Sequence, residues 1–252
     1  MVDRTSGVPA YRQIADHLRG QIESGKLAPG SPLPSERELV DTYDASRPTI
    51  REAVKLLRTS GLVVAQHGRG VFVRPPSVVT RLARTRLSRS ARAENKGAFM
   101  GDAAAGDFAP SVSVRVRVEA ADERVADLLN VEPGTEVVVR DRVMRANNDV
   151  VQLAVSRLPR DLTQGTPIEE VDTGSGGVYA RLEESGHVLD RFEEFVSARM
   201  PTVDEQSLLQ LPEGSPVITV TRVAYTADRA VEVNDMVLAA NRYELHYEFA
   251  AT

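Results

Sequence analysis

Two closely spaced helix starts in the stretch 35–70 constrain the fold of this chain more than any other feature. Ser35 stands three residues before Glu38, which is the spacing of a capping box. Ser46 can cap a second helix that has Pro48 in its first turn, and Gly61 suits the end of that helix. The second helix has an apolar face at the spacing i, i+3, i+4, i+7, formed by Ile50, Ala53, Val54 and Leu57. The pattern predicts two short helices joined by a turn.

A hairpin is predicted directly after these helices. Apolar runs at 62–65 and 71–73 flank the segment 66–70, whose two glycines permit a tight tip. Apolar residues also recur on one side of the segment 10–24, which predicts a helix ahead of the pair. Three helices followed by a hairpin, in that order, predict a winged helix-turn-helix domain.

Basic side chains occupy the other face of the second helix of the pair. Cations near the amino end of such a helix suit contact with phosphate and reading of base edges. The stripe alone fits an ordinary solvated helix face equally well, whereas the stripe beside a hairpin favours a surface for duplex DNA. The stripe consists of Arg47, Arg51, Lys55 and Arg58, and the hairpin tip adds donors from His67 and Arg69.

The segment LPSERELVDTYDASRPTIREAVKLLRTSGLVVAQHGRGVFV resembles the DNA-binding domain of GntR-family bacterial transcription regulators. The resemblance covers about the first seventy-five residues. Carried over by position, it implies DNA contacts from Arg37, Arg47, Thr49, Arg51, His67 and Gly68. Pro48 departs from the family pattern, because many relatives have a hydroxyl or a basic residue there, so a base contact from that position is not expected.

The composition excludes several classes of protein. Cysteine is absent, so there is no disulfide framework and no thiol chemistry. The amino-terminal residues contain no long apolar run, which predicts neither a signal peptide nor a membrane span. A cytoplasmic protein with no membrane partner is therefore expected.

The net charge of −5 is divided unevenly along the chain. Residues 1–92 contain 16 Lys and Arg against 8 Asp and Glu, which gives +8, whereas residues 93–252 contain 15 against 28, which gives −13. This asymmetry is expected when one domain alone meets phosphate. Five arginines after the hairpin indicate either a solvated linker or extra phosphate contacts: Arg81, Arg84, Arg86, Arg89 and Arg92.

An internal repeat with an offset of eighty residues organises the acidic part of the chain. Leu129, Gly134, Val137, Arg142 and Val151 recur as Leu209, Gly214, Val217, Arg222 and Val231. Each unit predicts a short helix, a turn and two strands, so the pair predicts an α+β domain with a mostly antiparallel sheet and helices on one face. The glycine- and alanine-rich segment 97–110 before it predicts a loop or hinge.

Residues from about 110 to 250 resemble the UTRA effector-binding domain of the HutC subfamily, which has a chorismate-lyase-like fold. The resemblance rests on the segments VVVRDRVMRANNDVVQLAVSRLP and VITVTRVAYTADRAVEVNDMVLAANRYELHYEF. The resemblance implies effector contacts from Arg140, Arg142, Tyr179 and Glu232, since paired arginines can clamp an anion and a carboxylate can take hydroxyls or an amine. Because Arg142 repeats as Arg222, a structural role for either arginine stays open.

Several positions depart from this second family pattern. A glutamate and a tyrosine of the family fall on Ala154 and Leu238, and a proline falls on Val150. Together with a missing serine near Gly177, these changes predict a more apolar pocket or the loss of a small ligand.

Catalysis is not expected, although the fold has an enzymatic relative. The four histidines show no metal-ligand spacing, and no nucleophile elbow or phosphate loop is present, so neither a metal nor a cofactor is predicted. We predict a winged-helix domain at 1–76, a linker at 77–109 and an effector-binding and dimerisation domain at 110–252.

These parts predict a homodimeric repressor that binds a palindromic operator in double-stranded DNA and responds to a small-molecule effector. The alternatives are a constitutive repressor without an effector and, less favoured, an enzyme of chorismate-lyase-like fold.

Overall fold

A computed structural model describes residues 2–3, 5–66, 69–74, 79–82, 98–106, 108–212 and 214–247. The chain divides into two compact units, one comprising Met1–Pro76 with Gln210–Ser215 and the other Ser77–Leu209 with Pro216–Thr252. Within the described ranges, none of the helices combines the length and hydropathy that crossing a bilayer requires.

The first unit consists of three helices and a hairpin, as predicted. The helices are α1 (Ala10–Glu23), α2 (Glu36–Tyr43) and α3 (Arg47–Thr59), and the hairpin strands are β1 (Val63–Gln66) and β2 (Gly70–Val73). The capping box is confirmed, because the Ser35 hydroxyl accepts from the Glu38 backbone N–H and the Glu38 carboxylate accepts from Ser35. The Ser46 hydroxyl caps α3 by accepting from the Thr49 N–H.

The core of this unit lies between α1 and the helix pair. Ile50, Ala53 and Leu57 of α3 are fully buried, which confirms the predicted apolar face, and they pack with Leu18 and Leu39. The hairpin is antiparallel with Val63 opposite Val73, and Gly70 has a φ of 110° that favours glycine. The predicted wing is therefore present, although its tip residues His67 and Gly68 lie outside the described residues.

The second unit is built on a six-stranded antiparallel sheet. Its strands are β4 (Pro110–Ala120), β5 (Glu136–Ala146), β6 (Asp149–Pro159), β7 (Leu189–Arg199), β8 (Val217–Thr226) and β9 (Ala230–Ala239), in the order β4-β5-β6-β9-β8-β7. Two further strands, β3 (Val79–Leu82) and β10 (Tyr243–His246), form a separate parallel pair. The helices are α4 (Ala98–Gly106), α5 (Glu123–Leu129), α6 (Gly177–Glu184) and α7 (Val203–Leu208). Short 3-10 turns occur at Arg160–Leu162, Pro167–Glu169 and Ala240–Arg242.

The internal repeat is visible in this topology. Helix α5 with β5 and β6 forms one half, and α7 with β8 and β9 forms the other. The second strands of the two halves, β6 and β9, pair at the centre of the sheet. The predicted α+β domain with a mostly antiparallel sheet is therefore confirmed.

Two expectations about this unit were wrong. The segment predicted as a loop or hinge forms α4, and Phe99 buries one side of that helix against Met144 and Met236. Alanine favours helix, and the contact with the sheet stabilises it despite the glycines. The helices also cover both faces of the sheet, because α5 packs on Val137 and Val139, the face opposite Arg140 and Arg142. Of the five predicted linker arginines, Arg81 lies in β3 and the other four lie outside the described residues.

Leu57→Ala tests the core of the first unit. Leu57 is fully buried in α3, so we expect its truncation to lower the free energy of unfolding of this unit by about 2–5 kcal/mol through lost burial and a residual cavity. Amide hydrogen exchange of peptides from α1 to α3 would measure the loss. Lys55→Ala, on the same helix with a side chain 72% exposed, is the matched control and should change exchange little. Equal effects of both substitutions would contradict the assignment of Leu57 to the buried core of this unit.

Candidate nucleic-acid interface and ligand cavity

The exposed face of α3 carries the basic residues that the sequence singled out. Arg47, Arg51, Lys55 and Arg58 are all exposed, and Arg37 is exposed on α2. Among the described residues, no carboxylate lies within 4.0 Å of Arg37, Arg47 or Arg58, whereas Lys55 has Glu52 at 3.8 Å. Thr49 is half-buried and its hydroxyl lies 2.8 Å from that of Ser46. The amino end of α3 therefore presents positive charge that is largely free to meet an anion.

Arg51 is the exception, because a carboxylate on the neighbouring helix holds it. Its Nε–H group lies 3.0 Å and 3.1 Å from the two carboxylate oxygens of Glu36. The hydrogen bond from Arg51 holds the pKa of Glu36 below its usual value. An exposed ion pair of this kind adds little to stability. Its effect is to orient the Arg51 guanidinium, whose two Nη groups remain available for a bidentate contact.

The described part of the wing adds one more cation. Arg69 lies over the ring of Phe72, with 5.5 Å between the guanidinium carbon and the ring centroid. A cation over an aromatic face is attracted by the ring quadrupole, which fixes where the charge is presented. The contacts predicted for His67 and Gly68 remain predictions, because both residues lie outside the described part of the chain.

A cavity of about 360 Å³ opens on one face of the large sheet in the second unit. A row of polar side chains crosses its floor from strand to strand, because Arg140 on β5 pairs with Ser156, then Asn234, then Arg222 and finally Glu194 on β7. All four predicted effector contacts, Arg140, Arg142, Tyr179 and Glu232, line this cavity. The structure therefore brings the four residues to one place, and their contact with a ligand remains a prediction.

Arg140 is anchored to the protein itself. It is 3% exposed, and its two Nη groups donate to the backbone carbonyls of Ile168, Glu170 and Val171. Burial, followed by repulsion from Arg142, lowers the pKa of Arg140 to about 10. These bonds hold the loop 168–171 against the sheet, which is a structural role that the sequence left open.

Arg142 keeps donors that the protein does not use. Its Nη2 group donates to the hydroxyl of Ser156 and, at 3.1 Å, to the side-chain oxygen of Asn234. Its Nε is buried without a hydrogen-bond partner, and no described carboxylate lies within 4.0 Å of its guanidinium. Burial lowers the pKa of Arg142 while Glu232 opposes that shift. An anion entering the cavity would satisfy these groups.

Arg222, the repeat counterpart of Arg142, is paired. Its Nε donates to the Glu194 carboxylate at 2.7 Å, and its side chain is only 4% exposed. The two halves of the repeat thus use the same arginine differently. In one half a carboxylate neutralises it, and in the other no carboxylate of the described residues lies within 4.0 Å.

Glu232 is a buried carboxylate on β9, two residues before Asn234. It is 2% exposed, and it accepts a hydrogen bond from the hydroxyl of Tyr179. No described cation lies within 4.0 Å of it. Burial, and then the neighbouring Glu232 carboxylate, raise the pKa of Tyr179 well above its usual value. Tyr179 is therefore the hydrogen-bond donor of this pair.

Sequence reasoning missed several residues of the cavity. Gln152, Met144 and Met236 line it, and so do Gly176 and Gly177, which have φ values of 80° and 70° at the start of α6. Strand alternation from Arg142 would have placed Met144 on the same face. For the glycine pair the signal was the family serine missing near Gly177, and strand alternation gave none, because the position of the pair depends on how the loop after Val171 returns to the sheet.

Metal chemistry has no candidate site in the described ranges, since no cluster of His, Asp or Glu there could hold an ion.

Comparison with known proteins identifies the families of the two parts of the chain. Residues 10–73 match the family described as bacterial regulatory proteins, gntR family, and residues 109–244 match the UTRA domain. The chain is 31% identical to an uncharacterized HTH-type transcriptional regulator of Streptomyces coelicolor, over 96% of this chain and 93% of that protein. It is 27% identical to the HTH-type transcriptional repressor NagR of Bacillus subtilis, over 98% and 97% of the two chains.

Solved structures share the fold. The crystal structure of PhnF from Mycobacterium smegmatis superposes with a TM-score of 0.61 at 23% identity, covering 95% of this chain and all of that one. A likeness at this identity supports the fold alone.

Tyr179→Phe tests the buried phenol. Because its folded pKa is raised, the stability that protonated Tyr179 contributes is present below about pH 10 and is lost as the pH rises through the folded value. We expect the phenolate absorbance of the folded wild type and variant to coincide up to about pH 11, and to differ by one tyrosine only after alkaline unfolding. If the folded variant showed the absorbance of one phenolate fewer than the folded wild type below about pH 11, the burial of Tyr179 would be contradicted.

Proposed function

Because the chain belongs to the gntR family of bacterial regulatory proteins and carries a UTRA domain, we propose that it binds an operator through α3 and the wing, and that a small molecule in the cavity changes this binding. The observation that carries the proposal is the exposed basic face of α3, where Arg47 and Arg58 have no carboxylate within 4.0 Å among the described residues. The relatives reported above are named transcriptional regulators, so the enzyme alternative is not favoured.

The operator contacts divide by chemistry. Arg47 and Arg51 lie in the first turns of α3, where side chains reach base edges in a major groove. Arg37, Thr49 and the wing residues His67, Gly68 and Arg69 are proposed to contact the backbone or the adjacent groove. The excess of positive charge in residues 1–92 supports salt-dependent attraction to duplex DNA.

The cavity is proposed to act as the effector site, with Arg142 as the group that meets an anion. Tyr179 and Glu232 are proposed to contact the rest of the ligand, whereas Arg140 acts mainly by holding the loop 168–171. For regulation, the effector must bind the DNA-competent arrangement of the protein and its alternative with different affinities.

A repressor in the cytoplasm, acting as a homodimer on a palindromic operator, is the form of this function that we propose. The name of the relative NagR supports repression. Strand β7 supports association of two copies, because it is the outermost strand of the sheet in the described part of the chain and it exposes Phe195 and Val196. The competing function is a constitutive repressor, for which no small molecule would stabilise the protein.

Arg47→Ala and Arg51→Ala test the reading helix. On a duplex selected from a random pool by the wild-type protein, each substitution should weaken binding by about 1–3 kcal/mol if its contact is to a base. Fluorescence anisotropy at fixed salt measures the change. Arg19→Ala is the matched control, since Arg19 lies on α1 and pairs with Asp16. Unchanged affinity in both test variants would refute the proposal that α3 contacts the operator.

Arg142→Ala tests the cavity. In a thermal-shift screen of a metabolite library, at least one compound should stabilise the wild type and fail to stabilise Arg142→Ala, while both proteins bind the selected duplex equally. Arg145→Ala is the control, because Arg145 is on the same strand, donates to Ser113 and does not line the cavity. A library without any stabilising compound would favour the constitutive alternative.

A further inference from the structure

The floor of the cavity changes character along its strands. On β5, Arg140 and Arg142 are followed on the same face by Met144. On β9, Glu232 and Asn234 are followed by Met236 in the same way. The sheet register offsets the two changes by one step, since Arg142 lies opposite Ala154, Ala154 lies opposite Met236, and Met144 lies opposite Gln152. The cavity therefore has a polar end and an apolar end.

The apolar end has its own walls. The cavity-lining residues of β4 and α4 are all apolar: Val112, Val114, Phe99 and Met100. Phe99 is 4% exposed and packs with Met144 and Met236, whereas Met100 is 46% exposed. Flexible thioether side chains adapt well to a hydrocarbon surface. These side chains give no partner to a ligand hydroxyl, and the polar group beside them is the amide of Gln152, opposite Met144. Burying a hydroxyl against the apolar side chains without a hydrogen bond is unfavourable.

The polar end offers two unmatched charges close together. Arg142 has no carboxylate within 4.0 Å among the described residues, and the buried Glu232 has no cation within that distance. Asn234 accepts from Arg142, and the backbone of Glu232 lies two residues, about 7 Å, from that of Asn234 along the same strand. A ligand with an acid group and a donor group on neighbouring carbons can reach both.

We infer that the effector is a small organic acid with a hydroxyl or ammonium group beside the acid and a hydrocarbon body. The acid meets Arg142, the donor group meets Glu232, and the body lies on the wall of Phe99, Met100, Met144 and Met236. This inference rests on the proposed function of the cavity and names the chemistry of its ligand. A polyhydroxylated sugar phosphate has more hydroxyls than the single amide of Gln152 can pair beside that wall.

Titration calorimetry of the full-length protein with four probes tests the ligand class. Phenyllactate and phenylalanine carry all three features, hydrocinnamate lacks the donor group, and glucose phosphate lacks the hydrocarbon body. At least one of the first two should bind about tenfold more tightly than either of the others, which is the loss expected for one missing hydrogen bond to a charged group. Glu232→Gln separates the two donor types, because it should weaken phenylalanine more than phenyllactate if an ammonium is preferred.

Met100→Ser tests the apolar wall without touching the core. It should weaken binding of the tighter of phenyllactate and phenylalanine several-fold and leave glucose phosphate unchanged. Met200→Ser is the matched control, because Met200 is 58% exposed and does not line the cavity. Equal effects of the two substitutions would overturn the wall assignment.

The outcomes separate this inference from the proposed function. Tighter binding of glucose phosphate than of every amphiphilic probe, or no binding by any probe at millimolar concentration, overturns the ligand class. The proposed regulation would not be refuted by that result, because the thermal-shift screen of metabolites tests it separately. Conversely, an amphiphilic acid that binds through Arg142 and Met100 but leaves operator affinity unchanged supports the ligand class and refutes the regulation.

Discussion

Burying a guanidinium group in a sheet is unfavourable unless its N–H groups find acceptors. This constraint explains how polar groups are arranged around the arginines of the second unit. Arginine side chains on β5 and β8 enter the same polar row, and each needs its own solution. Backbone carbonyls of the loop 168–171 accept from Arg140, and the Glu194 carboxylate accepts from Arg222. Arg142 donates to the neutral side chains of Ser156 and Asn234, and no carboxylate of the described residues lies within 4.0 Å of it. No neighbouring carboxylate of the described residues therefore neutralises Arg142, whereas Glu194 neutralises Arg222.

The first unit depends on a different use of charge. Its fold is set by capping and by a buried apolar face, so the opposite face of α3 is free to carry cations. The Glu36 carboxylate orients one of them, Arg51, whereas no carboxylate of the described residues lies within 4.0 Å of Arg47. Exposed charges of this kind contribute little to stability, so they can be devoted to recognition of phosphate and bases.

Much of the fold could be predicted from local patterns. Ser35 with Glu38 and the spacing of Ile50, Ala53 and Leu57 specify α2 and α3, and the eighty-residue repeat specifies two helix-and-hairpin halves. Helix α4 could not be predicted, because its glycines argue against a helix and its stability comes from contacts of Phe99 with distant strands. The parallel pairing of β3 with β10 joins segments far apart in the chain and has no local signature either.

The candidate site shows the same division. The sequence, through a family resemblance, indicated Arg140 and Arg142 together, and it could not separate them because the acceptors that hold Arg140 are backbone carbonyls, which no side-chain pattern reveals. The repeat suggested that Arg142 and Arg222 are equivalent, and by position in the sheet they are. The difference arises on the neighbouring strands: β7 supplies Glu194 beside Arg222, whereas β4 supplies only Val114 opposite Arg142. The proposal that an acid with a hydrocarbon body binds beside Arg142 rests on this difference between the two halves and on the methionines next to Arg142.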